Sequence, residues 1–286
     1  MSDHPDTAIS IDNLRVCYGD FAAVDGLSLE IRGGELFGVL GPNGAGKSTT
    51  IRVLIGQRRP TAGSVQVLGH DVVRDWTAIK PRFGYVPDRE NHFEEFTGQQ
   101  NLEFFADLYS APRSRVSECL KLVELDEAAR LPVRGYSLGM RRKLLLARAL
   151  LHEPELLYLD EPTANLDIHS AELVRRILRE RVAAGATIVL TTHDMEEVEQ
   201  ICDRVGIVCR GRLVALDTPL ALKTAHTERR ADVETEQGER FEFDLDNAME
   251  RQRLAELIRI GGIATLRTRE FNFHATFLKL TGQNFE

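Results

Sequence analysis

The chain has 286 residues, of which 43% are hydrophobic and 28% charged, a length and balance that fit one large globular domain with an appendage and exclude a disordered or fibrous chain. Its 44 Asp and Glu against 36 Lys and Arg leave a net charge of −8, which argues against a sequence-independent grip on nucleic acid or anionic lipid. No apolar run approaches the roughly 20 residues needed to cross a bilayer, and the opening MSDHPDTAIS lacks the basic and apolar regions of a leader, so the chain is expected neither to span a membrane nor to be exported.

The first predicted element is a strand-like segment carrying Tyr18, whose ring either stacks on an adenine or packs as tyrosines ordinarily do. An apolar run bounded by turn residues, LFGVL at 36–40, reads as a buried strand. It leads into GPNGAGKST at 41–49 and then into a helix-compatible run, TTIRVLIG. A glycine-rich loop between strand and helix wraps a phosphate chain in backbone N–H groups; Lys47 reaches the terminal phosphates and Ser48 offers a hydroxyl to Mg²⁺. Gly41, Pro42, Asn43, Gly44, Ala45, Gly46 and Thr49 complete the cradle, and the helix N-terminus adds partial positive charge. The full eight-position match in this setting is the strongest signal in the chain.

Between 94 and 151 the pattern turns helical, over 98–109, 113–125 and 139–152, with Pro112 and Pro132 as breaks, which predicts an all-helical insert. Arg141, Arg142 and Lys143 read as a solvated helix face rather than a nucleic-acid patch. Three more near-continuous apolar runs follow, LLYLD at 156–160, TIVLTT at 187–192 and VGIVC at 205–209, most of them separated by helical patterns. Such runs suit a parallel sheet covered by helices on both faces, so the core reads as repeating βα. In that architecture ligands lie beyond the carboxyl ends of the strands. LLYLDEP would then deliver Asp160 to hold Mg²⁺, usually through water, and Glu161 to orient or deprotonate an attacking water. The plainer reading is an acidic turn ahead of Pro162. TIVLTT ends at His193, either a hydrogen-bond partner for a γ-phosphate or a capping residue. After Pro219 the chain becomes more polar, and alternating segments at 230–235 and 240–245 predict a small α+β appendage. Cys17, Cys119, Cys202 and Cys209 are scattered singly and read as reduced thiols.

Taken in this order, Tyr18, GPNGAGKST, YSLGM at 136–140, LLYLDEP, ANLD at 164–167 and TTHD at 191–194 resemble the ABC-type ATPases over about residues 8–220. They are similar to that family's A-loop, Walker A, signature, Walker B, D-loop and switch histidine. The resemblance implies an α/β fold: a P-loop NTPase core with a parallel-sheet RecA-like lobe, an N-terminal antiparallel β region and an α-helical subdomain, with the C-terminal α+β appendage beside it. The implied domains are 8–222, with a helical insert at about 94–152, and 223–286. It also implies ATP held by Tyr18, by residues 41–49, by Asp88, Ser137 and Gly139, with Mg²⁺ on Ser48, Asp88 and Asp160. Catalysis would fall to Glu161 and His193.

The family pairs head to tail, each ATP lying between one P-loop and the partner's signature. Here Ser137 and Gly139 open an amphipathic helix whose free N–H groups and dipole suit a γ-phosphate. Two departures stand out. The widespread signature is LSGGQ, whereas this chain has Leu138 and Met140 at the variable places, a form similar to YSxGM in exporter ATPases. FGYVPD resembles the Q-loop, with Asp88 where the family has Gln and exporter-type relatives commonly Glu, one methylene longer. FLKLTG at 277–282 is similar to the tails of bacterial ATPases serving exporters of drugs, sodium, lipids or polysaccharides, and an amphipathic helix explains it equally. Phe93 and Phe96 either line a groove for a partner's coupling helix or belong to the core.

The implied role is an ATPase driving export through a separate integral membrane permease. The chain would pair with a second, identical ATPase subunit on the cytoplasmic side of the membrane, with no nucleic-acid partner. A rival class, ATPases that remodel ribosomes or DNA, usually carries two ATPase units or a long coiled-coil insertion, and this sequence has neither.

Overall fold

Two long strands, β1 (Thr7–Tyr18) and β2 (Phe21–Arg32), turn on Gly19 and Asp20 into a hairpin that places Tyr18 opposite Phe21. The alternation of buried and exposed residues along β2 is that of a sheet packed on one face. The computed structural model describes residues 7–226, 230–268, 277–278 and 281–282. Next come β3 (Leu36–Leu40), α1 (Lys47–Leu54), β4 (Ala62–Val67), β5 (His70–Asp71) and the short α2 (Trp76–Ile79). The N-terminal sheet is antiparallel, in the order β2-β1-β4-β5.

The chain continues through β6 (Phe83–Val86), then α3 (Gly98–Tyr109), α4 (Ser114–Leu122) and α5 (Leu138–Ala149). It returns with β7 (Leu156–Asp160), α6 (Ile168–Ala183), β8 (Thr187–Thr192), α7 (Met195–Ile201), β9 (Arg204–Cys209) and β10 (Arg212–Asp217). The main sheet runs β10-β9-β3-β8-β7-β6, parallel except for β10, which lies antiparallel on β9. Every residue of β3, β7 and β8 is buried, as a strand covered on both faces requires. The four-residue β6 is too short to announce itself by periodicity.

A single apolar cluster joins the two sheets around α1: Ile9, Leu14, Leu27 and Ile31 meet Phe37, Val39, Ile51, Leu54, Tyr158 and Val189. On its other side the main sheet is contacted by α6 and α7. Helix α3 starts from a capping box in which Thr97 and Gln100 satisfy each other's backbone N–H groups. Helix α5 packs against α3, α4, α6 and β6, and this overturns the expectation of a solvated basic face: Arg142 and Lys143 are each only 8% exposed.

A second compact unit starts at Pro219, the first residue of α8 (Pro219–His226). The sequence reading put this boundary a few residues later, after Leu222. The unit holds β11 (Arg230–Thr235), β12 (Arg240–Asp244), α9 (Ala248–Ile260) and β13 (Ile263–Thr268). Its sheet is antiparallel in the order β12-β11-β13, and Leu254 of α9 packs with Ala231, Val233 and Phe243 as its core. Phe277 is buried, and part of the FLKLTG segment lies outside the described residues.

Candidate functional site

A cleft of about 450 Å³ opens at the carboxyl ends of β3, β7 and β8, within the size range of small-molecule sites. Its floor is the loop from Pro42 to Thr49. That backbone path demands glycine at two places. A Cβ on Gly41 would stand 2.3 Å from the Val208 carbonyl oxygen, and Gly46 has φ 105°, with the Ala23 carbonyl oxygen 2.5 Å from where its Cβ would be. Gly46 caps α1 without any side-chain hydrogen bond, so the first amides of the helix have no intrahelical partner and point their dipoles at the loop.

Lys47 is 6% exposed, and its Nζ donates to the Gly41 carbonyl at 2.5 Å and lies 3.5 Å from Glu161 Oε1. Burial lowers its pKa, and the negative charge of Glu161 opposes that shift. Glu161 directly follows β7 and turns the chain at φ 52°, a left-handed conformation uncommon for a residue with a Cβ. Its N–H donates to the Thr191 carbonyl at 3.0 Å, which ties the turn to β8. The two carboxylate oxygens point to different partners: Oε1 to Lys47, and Oε2 to His193 Nδ1 at 2.9 Å.

Asp160, at the end of β7, is 5% exposed. Ser48 Oγ donates to its Oδ1 at 3.2 Å, and the Thr191 hydroxyl donates to the same oxygen. Thus Ser48 from α1 and Asp160 from β7 converge as two hard oxygen donors, the chemistry of a Mg²⁺ site that leaves its other positions to water and phosphate. A second buried link braces these loops. Thr163 donates to Glu197 Oε1 at 2.6 Å, and Glu197, at 1% exposure, joins the segment after Glu161 to the helix after His193. Burial raises the pKa of Glu197, against the lowering effect of its hydrogen bonds with Thr163 and Thr192.

Tyr18 stands at the mouth of the cleft with one face covered by Arg58, whose guanidinium lies 4.5 Å from the ring centre. Asp88 is also on the wall, 54% exposed and held by Arg142, whose Nη2 donates to Oδ1 at 3.3 Å while Nη1 donates to the Pro87 carbonyl at 3.0 Å. The neighbouring chain is held to α5 in the same way: Arg148 donates to Asn91 Oδ1 at 2.8 Å, and His92 Nε2 donates to the Arg141 carbonyl at 2.9 Å. Burial pushes the pKa of His92 down to about 4. Beyond it, Phe93 and Phe96 are each 42% exposed and stack into a ring cluster with Phe104.

Ser137 and Gly139 do not line this cleft. Ser137 is exposed and caps α5, its Oγ accepting from the Met140 N–H at 3.2 Å. Gly139 lies against Asp167 and Ser170: a Cβ there would be 3.1 Å from Ser170 Oγ. Asp167 in turn caps α6 through the Ser170 N–H.

The site also contains residues the sequence reading did not single out. Phe21, Ala23 and Arg52 line the cleft beside Ala164 and Asn165 of the ANLD segment, and Phe21 is 65% exposed. The Gly19-Asp20 pair between strand-like segments was a hairpin signal that would have set Phe21 across from Tyr18. Nothing local marks Thr191, Arg142 or Glu197, whose partners are distant in sequence.

The ABC transporter family model matches residues 24–164. The chain is 44% identical over 232 residues to the daunorubicin resistance ATP-binding protein DrrA3 of Streptomyces coeruleorubidus, covering 80% of this chain and 73% of that protein. It is 38% identical over 265 residues to a fluoroquinolones export ATP-binding protein of Mycobacterium tuberculosis, covering 91% and 88%. Among solved structures, a dimeric ATP-binding cassette in a post-hydrolysis state with ADP and Pi superposes with a TM-score of 0.67 at 26% identity, over 74% of this chain and 98% of that one. The chain therefore belongs to the ABC transporter family, as one of its ATP-binding and ATP-hydrolysing subunits.

Proposed function

We propose that the chain is the motor of an exporter: two copies close head to tail on ATP, and hydrolysis reopens them to drive a separate membrane permease. The observation that carries this reading is the split between the two phosphate-binding ends. The loop, Lys47, Glu161 and His193 share one cleft, while Ser137, which is exposed, and Gly139, which is half-buried, lie outside it. A site built this way is finished by a second chain. The names of the relatives supply the direction of transport, since two of them are described by drug resistance or export. Among the described residues no helix is long and apolar enough to cross a membrane; in this reading a separate permease supplies the translocation path, and the chain works at the membrane through it.

In this reading Tyr18 stacks on adenine, and the amides of the loop with Lys47 hold the phosphates. An incoming phosphate takes over the charge that Glu161 now supplies to Lys47. Glu161 is then left to His193 on one side and to a water on the other, whose proton it accepts as the water oxygen bonds to the γ-phosphorus and the bond to the β–γ bridging oxygen breaks, releasing ADP and phosphate. Ser48 and Asp160 are the residues that would hold Mg²⁺, with Asp88 within the same cleft. Bound there, the ion would neutralise charge on the phosphate oxygens. His193 positions Glu161 and meets the γ-phosphate.

Tagged Glu161→Gln, purified with ATP from detergent-solubilised native cells, tests the whole reading. A polytopic membrane protein and a second copy of the chain should come with it. Ribosomal or DNA-bound partners without a membrane protein would overturn the transport role and leave the ATP site intact.

A further inference from the structure

Helix α9 of the second unit carries an outer face that its own sheet leaves uncovered. Met249 is 74% exposed and Ile260 72%, although both are apolar, and both border a cleft of about 620 Å³ between α9 and the edge strand β12. Arg253 and Glu256 border the same cleft, whose strand side is Phe241 and Phe243. At 3.6 residues per turn, positions 249, 253, 256 and 260 fall within an arc of roughly 60° and form one stripe along the helix.

The order of that stripe is the informative part. From either end it reads apolar, charged, charged, apolar, and the two charges are opposite. Met249 and Ile260 are equidistant from a midpoint between Leu254 and Ala255, and so are Arg253 and Glu256. A second copy of α9 laid antiparallel about a two-fold axis at that midpoint sets Met249 against the partner's Ile260. The same axis sets Arg253 against the partner's Glu256, and each pair occurs twice. Slid registers lose this match: setting Met249 on the partner's Arg253, or Arg253 on the partner's Ile260, opposes an apolar residue to a charge, and setting Arg253 on the partner's Arg253 opposes like charges. Arg253 makes no ion pair with a described residue, and Glu256 has only a surface pair with Arg259 of its own helix at 2.9 Å, the kind worth little to stability.

We infer that the second unit self-associates through this stripe, and that its occupant is α9 of a second copy of the chain. The contact is small. Attached to ATPase domains that also pair, it acts at the high effective concentration a tether supplies, and it keeps the two chains together when the nucleotide sites are open. The inference rests on the paired-motor reading for its purpose, not for its evidence.

The test is sedimentation equilibrium of the full chain without nucleotide. The unaltered chain should self-associate. Arg253→Glu and Glu256→Arg should each weaken association about tenfold, because two attractions become two repulsions, and the double swap Arg253→Glu/Glu256→Arg should restore it. A chain that is monomeric without nucleotide, single variants that associate like the parent, or a double swap that fails to rescue would each overturn the inference. ATP-dependent association of Glu161→Gln, measured beside it, reports on head-to-tail closure alone, so the two readings fail separately. If Arg253→Glu leaves self-association unchanged and releases a membrane permease, the stripe belongs to that partner and the inference falls.

Discussion

Two helix N-termini in this molecule, to which the proposed function gives phosphate roles, are built differently. Helix α1 begins at a left-handed glycine with no side-chain cap, inside a cleft, with a buried lysine folded over the loop. Helix α5 begins at Ser137, whose hydroxyl already satisfies the Met140 N–H, on the surface. The uncapped end leaves its first amides to the walled cleft. The capped end is already satisfied by its own serine, and the proposed function makes it a ligand site only when a second chain is brought to it. The difference separates what one chain does from what a pair does.

The sharpest way to break that comparison is Glu161→Gln. Turnover should fall by roughly 10²–10⁴-fold while ATP still binds, as read by phosphate release and by calorimetry on the same sample. Unchanged turnover would remove Glu161 from the proton-accepting role. Lys47→Ala comes next: removal of charge-assisted bonds worth about 1.5–3 kcal/mol should weaken ATP binding roughly 10–100-fold, and an unaltered Kd would show that the α1 end is not the phosphate site.

His92 probes the segment that α5 holds. The unfolded chain takes up a proton as pH falls below the ordinary 6.5, whereas folded His92, depressed to about 4 by burial, does not until lower pH. Folding stability should therefore drop as pH goes from 6.5 towards 4, by about 1–2 kcal/mol after allowing for partial exposure. Denaturant melts of His92→Gln should show a shallower loss across that window; an identical slope would mean that another group dominates. The smallest effect is expected from Ser137→Ala, which removes a cap worth about 1 kcal/mol of stability. ATP affinity of the single chain should stay the same while ATP-driven pairing of the Glu161→Gln form weakens. A loss of single-chain affinity would instead bring the α5 end into the first cleft.

The parts of this protein that were legible in its sequence are those whose physics is local. The phosphate loop is nine consecutive residues between a strand and a helix, and the backbone path that needs Gly41 and Gly46 is set within them. The runs at 36–40, 156–160 and 187–192 are strands because uninterrupted apolar residues have to be covered on both faces, and acids at the ends of such strands point to the ligand side. Likewise Ser137 opens α5 where the sequence placed a helix start, and its hydroxyl caps that helix.

What the sequence could not carry is the company each charge keeps. Arg142 read as part of a solvated face because its neighbours in sequence are basic, yet α5 is surrounded, and the guanidinium is drawn in to the Pro87 carbonyl and the Asp88 carboxylate. Asp88, taken as a ligand for Mg²⁺, is thereby also a partner of the helix that opens with the signature. Thr191 reaches Asp160 only because β8 lies beside β7 in register, and Glu197 braces Thr163 only because α7 packs under the same strand ends. By itself the sequence determined the family, the glycine-bearing loop between strand and helix, and the acids at a strand end, because these depend on short-range backbone geometry and on burial patterns. The tertiary structure alone decided which charges are paired and which helix ends are open, because those depend on distances between segments far apart in the chain.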